Sequence, residues 1–248
     1  MRLVWLFALV LGCRPGTPHE IEDVLDAHRT SDRYVDAPRT SAPRRWDIGH
    51  WVLYKITTAG RIGYIKHAIV GEGRCGYWLE TTVVLGPYED RTVMKVCLRD
   101  MPDPRKELDR QTDLLGAYMS RRGLRTTAFD FNNRRREDEK DAVVRVLQGF
   151  AIFAWRSGDI SDRNEIEVHA GQFAGVVRMP GRVWLAEEPH GVMIWYHADV
   201  PLGGMIKAIA NDADDEIVFK TELLDFGLDG AKSELPDFTE HAKTVGLD

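Results

Sequence analysis

The chain has 248 residues, 44% apolar and 29% charged, with 39 acidic side chains against 33 basic ones and a net charge of -6. That balance excludes a general attraction to nucleic acid or to anionic lipid headgroups, and no basic stripe overrides it. The length suits one all-β or α+β domain, or at most two small ones, with enough apolar residues for a core.

At the N-terminus one basic residue, Arg2, precedes an apolar stretch at residues 3–11. This is the length of a secretory signal core and too short to span a bilayer. Val10-Leu11-Gly12-Cys13 closes it, and Arg14-Pro15-Gly16-Thr17-Pro18 follows, a flank that a buried strand or helix seldom carries. The segment resembles the lipobox of bacterial lipoproteins. The resemblance implies cleavage between Gly12 and Cys13, a diacylglycerol on the Cys13 thiol, and a membrane link made by covalent lipid. Arg14, where many inner-membrane lipoproteins carry Asp, favours the outer membrane facing the periplasm. An ordinary cleaved signal and a structural apolar segment are the plainer readings.

Residues 13–45 are rich in Pro, Arg, Ser, Thr and Asp. They read as the lipidated Cys followed by a flexible tether, whose end-to-end distance as coil is about 30 Å. A weak amphipathic patch carrying Ile21, Val24 and Leu25 is expected to dock on the body. The expected organisation is a signal at 1–12, the lipidated Cys and tether at 13–45, a folded body at 46–235 and a C-terminal tail at 236–248.

From Trp46 the pattern changes to strands. Residues 50–57 alternate, Thr58-Ala59-Gly60 supplies a turn, and strands at 62–70, 77–85 and 92–98 continue an antiparallel meander. Two cysteines remain after Cys13, namely Cys75 and Cys97, in a compartment where pairing is allowed. A simple 77–85/92–98 hairpin register sets Cys97 near Glu80, several residues from Cys75, so a disulfide needs a bulge, a slipped register or another pairing. Two buried free thiols are the alternative.

Met101-Pro102-Asp103-Pro104 breaks the meander, and residues 105–122 show helical spacing in Leu108, Leu114, Leu115, Tyr118 and Met119. That helix is expected to cover the open side of a curved sheet. The stretch 132–141, with Arg134-Arg135-Arg136 before acidic residues, reads as a solvated charged face. Residues 143–155 are apolar and ambiguous between strand and helix. Further strands are expected at 165–169, 173–178, 182–187, 192–196 and 217–225. The sum is α+β, mostly β: a large curved antiparallel sheet, an open half-barrel, packed on one or two helices.

Three segments of the second half carry a second resemblance. Ile166-Glu167-Val168-His169-Ala170-Gly171-Gln172-Phe173 alternates, turns where a small residue is needed, and sets Phe173 on a core face. Val200-Pro201-Leu202-Gly203-Gly204-Met205-Ile206-Lys207 makes a corner after a strand, and Glu222-Leu223-Leu224-Asp225-Phe226-Gly227 closes a final strand. Together these resemble envelope proteins of the LolA/LolB-like half-barrel group over roughly residues 46–235. The resemblance implies an open sheet wrapped round helices that can hold acyl chains.

The search for chemistry is negative. The sequence holds no Gly-x-Ser-x-Gly turn, His-Glu-x-x-His helix, Cys-x-x-Cys pair or P-loop. His190 and His197 straddle a predicted strand, which sets them too far apart to share a metal. His67 and His169 lack a paired nucleophile. The acidic run at 211–216 lacks the Gly and distal Glu of a calcium loop and reads as a polar turn. No cofactor, metal or catalysis is expected. Trp51, Tyr54, Trp78, Leu115, Tyr118, Trp184 and Trp195 are candidates to line an apolar cavity, though core packing draws on the same residue types. The expected function is a lipid-anchored envelope protein that binds or carries an apolar ligand such as an acyl chain. The alternative is a structural or protein-interaction lipoprotein with a filled core. The expected contacts are the membrane through the lipid, an apolar ligand and an unidentified protein partner, with no nucleic acid.

Overall fold

The computed structural model describes residues 20–29, 31–39, 44–73, 76–86, 90–99, 114–121, 127–130, 147, 155–156, 164–185, 188–212, 214 and 216–235. Among the described elements, helix α1 (Glu20–Ala27) precedes thirteen strands. The first seven are β1 (Tyr34–Val35), β2 (Trp51–Thr58), β3 (Arg61–Gly73), β4 (Gly76–Leu85), β5 (Asp90–Leu98), β6 (Leu114–Arg121) and β7 (Thr127–Asp130). The others are β8 (Trp155–Arg156), β9 (Asn164–Val168), β10 (Gly171–Leu185), β11 (Glu188–Tyr196), β12 (Met205–Asn211) and β13 (Ile217–Gly227).

All thirteen strands join one sheet in the order β1-β10-β11-β12-β13-β2-β3-β4-β5-β6-β7, with β8 and β9 also paired to β10. Two antiparallel meanders, β2–β7 and β10–β13, are thus fused where β13 pairs with β2 from Gly227↔Trp51 to Phe219↔Thr58. Among the described pairings, β1 alone is parallel, through Tyr34↔Gln172 and Val35↔Phe173. The sheet does not close. Register shifts interrupt the β3–β4, β5–β6, β9–β10, β11–β12, β12–β13 and β13–β2 ladders, and such bulges sharpen twist and bend a sheet. The chain is therefore mostly β, an open half-barrel, as the alternating patterns predict.

Strand alternation sorts the residues onto two faces. The inner face carries the main core: Val52, Tyr54 and Ile56 of β2, Ile65 and Ile69 of β3, Leu79 of β4, Met94 and Val96 of β5, Val192 and Ile194 of β11, Ala208 and Ala210 of β12, and Leu223 of β13. Leu147, from the segment whose type the sequence leaves open, is fully buried in the same cluster. The outer face has a second cluster of Leu53, Tyr64, Val84 and Leu224, against which α1 packs Ile21, Val24 and Leu25. Glu20, Glu22 and Asp23 in the first turn of α1 suit the positive end of the helix dipole.

Two expectations need correction. The helix expected at 105–122 is strand β6 over Leu114–Arg121, while residues 105–113 lie outside the described set. The spacing of Leu114, Leu115, Tyr118 and Met119 is a local signal. β6 instead satisfies backbone groups of β5 on one side and β7 on the other, with Ala117 buried in the core, and long-range pairing overrides weak periodicity. Within the expected tether, α1 docks Ile21, Val24 and Leu25 on the body as expected, and β1 adds a pairing with β10. The β4–β5 hairpin runs to Leu85↔Asp90, two residues tighter than assumed, so Cys97 faces Trp78 and not Glu80.

Candidate functional site

Gly12 and Cys13, the expected cleavage and lipid-attachment residues, lie outside the described residues, and the described chain begins at Glu20. Glu20 Oε1 accepts a 2.6 Å hydrogen bond from the Tyr64 hydroxyl and ion-pairs with Arg91. Arg91 also pairs with Glu234, so one guanidinium joins the N-terminal helix to the C-terminal segment. Burial first, and then the Glu20 hydrogen bond, push the Tyr64 phenol above its ordinary value. Farther along, Arg33 lies 3.3 Å from Asp225 and stacks its guanidinium 4.5 Å from the Phe226 ring centroid. His169 Nδ1 lies 2.9 Å from the Arg29 carbonyl oxygen, and the Gln172 amide donates to the Arg33 carbonyl at 2.9 Å.

Gly171, flagged in the sequence as a turn position, has φ +127°, and a Cβ there would fall 2.2 Å from the Arg33 carbonyl. Only glycine allows β1 this close approach. His197, wholly buried, completes the tie: its Nε2 lies 3.0 Å from the Asp36 carbonyl and its Nδ1 accepts the Asp199 amide at 3.2 Å. The neutral tautomer satisfies both contacts, and burial holds the imidazole below its ordinary value.

The C-terminal segment is held by Glu80, a carboxylate only 3% exposed. It accepts from Ser233 Oγ at 2.6 Å, from the Glu234 amide at 2.7 Å and from the Leu235 amide at 3.4 Å. Lys95, directly opposite Glu80 across the β4–β5 ladder, donates to Ser233 Oγ at 3.3 Å. A charged residue inside the otherwise uncharged run of β4 was the available sequence signal for this latch.

Of the seven residues expected to line a cavity, the four with described side chains do not share one face. Tyr54 is buried on the inner face, donating to the Met205 carbonyl at 3.0 Å. Trp51 packs beside the α1 cluster, its indole donating to the Asp229 carbonyl at 3.0 Å. Trp78, opposite Cys97, carries Lys95 Nζ 5.4 Å from its ring centroid. Trp195 is half-buried, with Lys207 Nζ at 5.4 Å. Leu115 and Tyr118 lie on β6 and Trp184 on β10, and their side chains lie outside the described set. Cys97 is fully buried and disulfide-bonded, while Cys75 lies outside the described residues.

Among the described residues, the inner face is densely covered. Val52, Ile69, Leu79, Leu98, Ala117, Val183, Ile194, Ala208, Ala210 and Leu223 are all 0% exposed, so none of them borders a void that admits water. A concave surface does exist on the outer side of β10–β12. It is an open trough of about 530 Å³ bordered by Pro180, Met193, Trp195 and Ile209, with Arg178 and Asn211 at its rim.

His67 is 2% exposed, lies 2.9 Å from Thr81 Oγ1 through Nδ1 and meets the Tyr54 ring edge-on, and burial drives its pKa down to about 3. Among the described residues no group of three His, Cys, Asp or Glu side chains is placed to hold a metal ion. In the acidic turn, Asp212 Oδ1 accepts the amides of Asp214 and Glu216 at 2.9 Å, the role of a polar turn. Among the described residues no helix is long and apolar enough to cross a membrane.

No protein-family model matches the chain, and neither does the sequence of any curated protein. Solved structures do. The chain is similar to MucB, with a TM-score of 0.36 and 10% identity over 89% of this chain and 62% of that one. A second match is the Pseudomonas aeruginosa MucA/MucB complex, with a TM-score of 0.34 and 11% identity over 75% of this chain and 53% of that one. A third is a candidate lipoprotein from Parabacteroides distasonis, with a TM-score of 0.31 and 10% identity over 75% of this chain and 97% of that one. The chain thus spans 62% and 53% of the two MucB-containing chains.

Proposed function

We propose that this is a lipid-anchored protein of the cell envelope that works by interaction, without catalysis, its half-barrel filled by its own side chains. Its address is Cys13, acylated and held in the outer membrane facing the periplasm. The observation that supports the filled-core reading is that described inner-face residues on several strands from β2 to β13, among them Val52, Ile69, Leu79, Ile194 and Leu223, are 0% exposed. An acyl chain occupying that face would have to displace packed side chains, which costs what opening any dense core costs. The body then contributes surfaces, and a protein partner meets them.

Carriage of an apolar ligand is the second reading, favoured by the trough beside Trp195 and Met193, whose volume falls in the range of small-molecule sites. Native mass spectrometry of the mature body from an export-competent host separates the two. The protein is expected at its bare mass, and stoichiometric co-purifying lipid would favour carriage. The anchor is tested by Cys13→Ala, which should move the protein from the membrane to the soluble fraction, and unchanged attachment would sink that part of the reading.

A further inference from the structure

Because α1 and β1 lie on the body, the position of the anchor constrains which part of the body meets lipid. We propose that the lipid bilayer is faced by the end of the sheet bearing the β2–β3, β4–β5 and β12–β13 turns. The inference rests on the lipid-anchor reading of Cys13 and adds an orientation to it.

Glu20 is the seventh residue after Cys13, and seven residues span at most about 25 Å when fully extended. Glu20 itself is fixed by the Tyr64 hydroxyl and Arg91, and Ile21 beside it is buried against Leu53, Tyr64, Val84 and Leu224. These contacts place the start of α1 at one end of the strands. Tyr64 is near the beginning of β3, Arg91 near the beginning of β5, and Gly86 of the β4–β5 turn lies against the Ile21 side chain while donating to the Ile62 carbonyl at 2.9 Å.

From there the chain runs away from that end. His28 comes 3.5 Å from Asp225, and β1 then joins β10. A free tether of about 30 Å would let the body tumble through every orientation. The docked helix removes most of that freedom and leaves only the few residues before Glu20 between lipid and body.

The same end exposes Ile62 at 46% and Ile217 at 58%, each at the first turn of its strand. Phe219↔Thr58 and Thr58↔Arg61 set these two turns side by side. Exposed Arg61 stands with exposed Asp214 and Glu216, so the rim carries both signs. A mixed rim around two apolar side chains suits a zwitterionic headgroup layer better than a strongly anionic one. At the opposite end, Ile48 at 46% and Leu228 at 42% exposure provide matched controls.

The test places the photo-crosslinking residue p-benzoylphenylalanine at position 62, 217, 48 or 228 of the mature full-length chain. A hexahistidine stretch replaces Cys13 and binds phosphatidylcholine vesicles doped with nickel-chelating lipid. Lipid adducts at 62 and 217 are expected several-fold above those at 48 and 228. The double variant Glu20→Ala/Arg91→Ala, which frees the start of α1, should level the four yields. Equal yields in the parent, a reversed bias, or adducts at 62 and 217 to a second protein copy would each overturn the orientation. A lipid bias in this system, alongside an unmodified Cys13 thiol in the natural exported chain, would support the docked geometry while removing the lipid-anchor reading.

Discussion

The outer face of the sheet is finished in two different ways. Over β2–β5 and β13 it is roofed by α1 and the segment 228–235, and the roof is fastened by charged groups: Glu20 and Glu234 on Arg91, and Ser233 and two backbone amides on Glu80. Over β10–β12 the equivalent face presents Pro180, Met193, Trp195 and Ile209 around an open trough. Both halves share the same alternation, so the strands themselves do not decide which is covered. Terminal segments do, and they go where polar residues within the strands can receive their backbone ends.

The strongest way to break the contrast is Glu80→Ala. It removes the acceptor of two amides and a hydroxyl in a nearly buried site, and losing such a centre costs about 3 kcal/mol. The midpoint in urea should fall, and proteolysis should begin near residue 235. Next comes Ile21→Ala, expected to cost about 2 kcal/mol, near the low end for a buried Ile because Ile21 keeps 8% exposure. Hydrogen exchange should then rise in α1 and leave β10–β12 unchanged.

Acid tests the inner face. The folded His67 binds its proton only near pH 3, against 6.5 for the free side chain. Below pH 6.5 the unfolded chain takes up a proton that the folded chain refuses, so this contribution is whole above pH 6.5 and is lost towards pH 3. The slope is about 1.4 kcal/mol per pH unit. His50 and His197, also held low by burial, act in the same direction. His67→Gln should reduce the proton uptake on unfolding by about one, measured from stability against pH. The smallest effect is expected on the bare half: Trp195→Ala should cost about 1 kcal/mol, well below a fully buried Trp because the ring packs only partly against the core, while weakening any contact made through the trough.

The strands were legible because their alternation is a local property, and β2, β3 and β4 fall close to where the pattern of Trp51, Tyr54, Ile65 and Leu79 puts them. So was the need for glycine at 171, though the sequence could not reveal that the neighbour pressing on it would be Arg33, well over a hundred residues earlier. β6 was misread because Leu114, Leu115 and Tyr118 satisfy a helical period by chance, and only the unpaired edge of β5 decides the matter. The aromatic residues suggested a cavity, but alternation around bulges sends Tyr54 to one face and Trp51, Trp78 and Trp195 to the other. The Glu20–Arg91–Glu234 junction left no periodic trace. It is built from single charges on three distant segments, each of which reads as ordinary surface.

That junction has a consequence for the order of assembly. A guanidinium in β5 that holds residue 20 with one arm and residue 234 with the other can be completed only once residue 234 has been made. During synthesis residue 20 emerges first and waits, and the β1–β10 pairing, which joins positions 34 and 172, waits with it. The last residues to arrive therefore close a fastening that the first ones began. A chain truncated before residue 234 would keep much of its sheet and still lack the contact that binds its two ends into one piece.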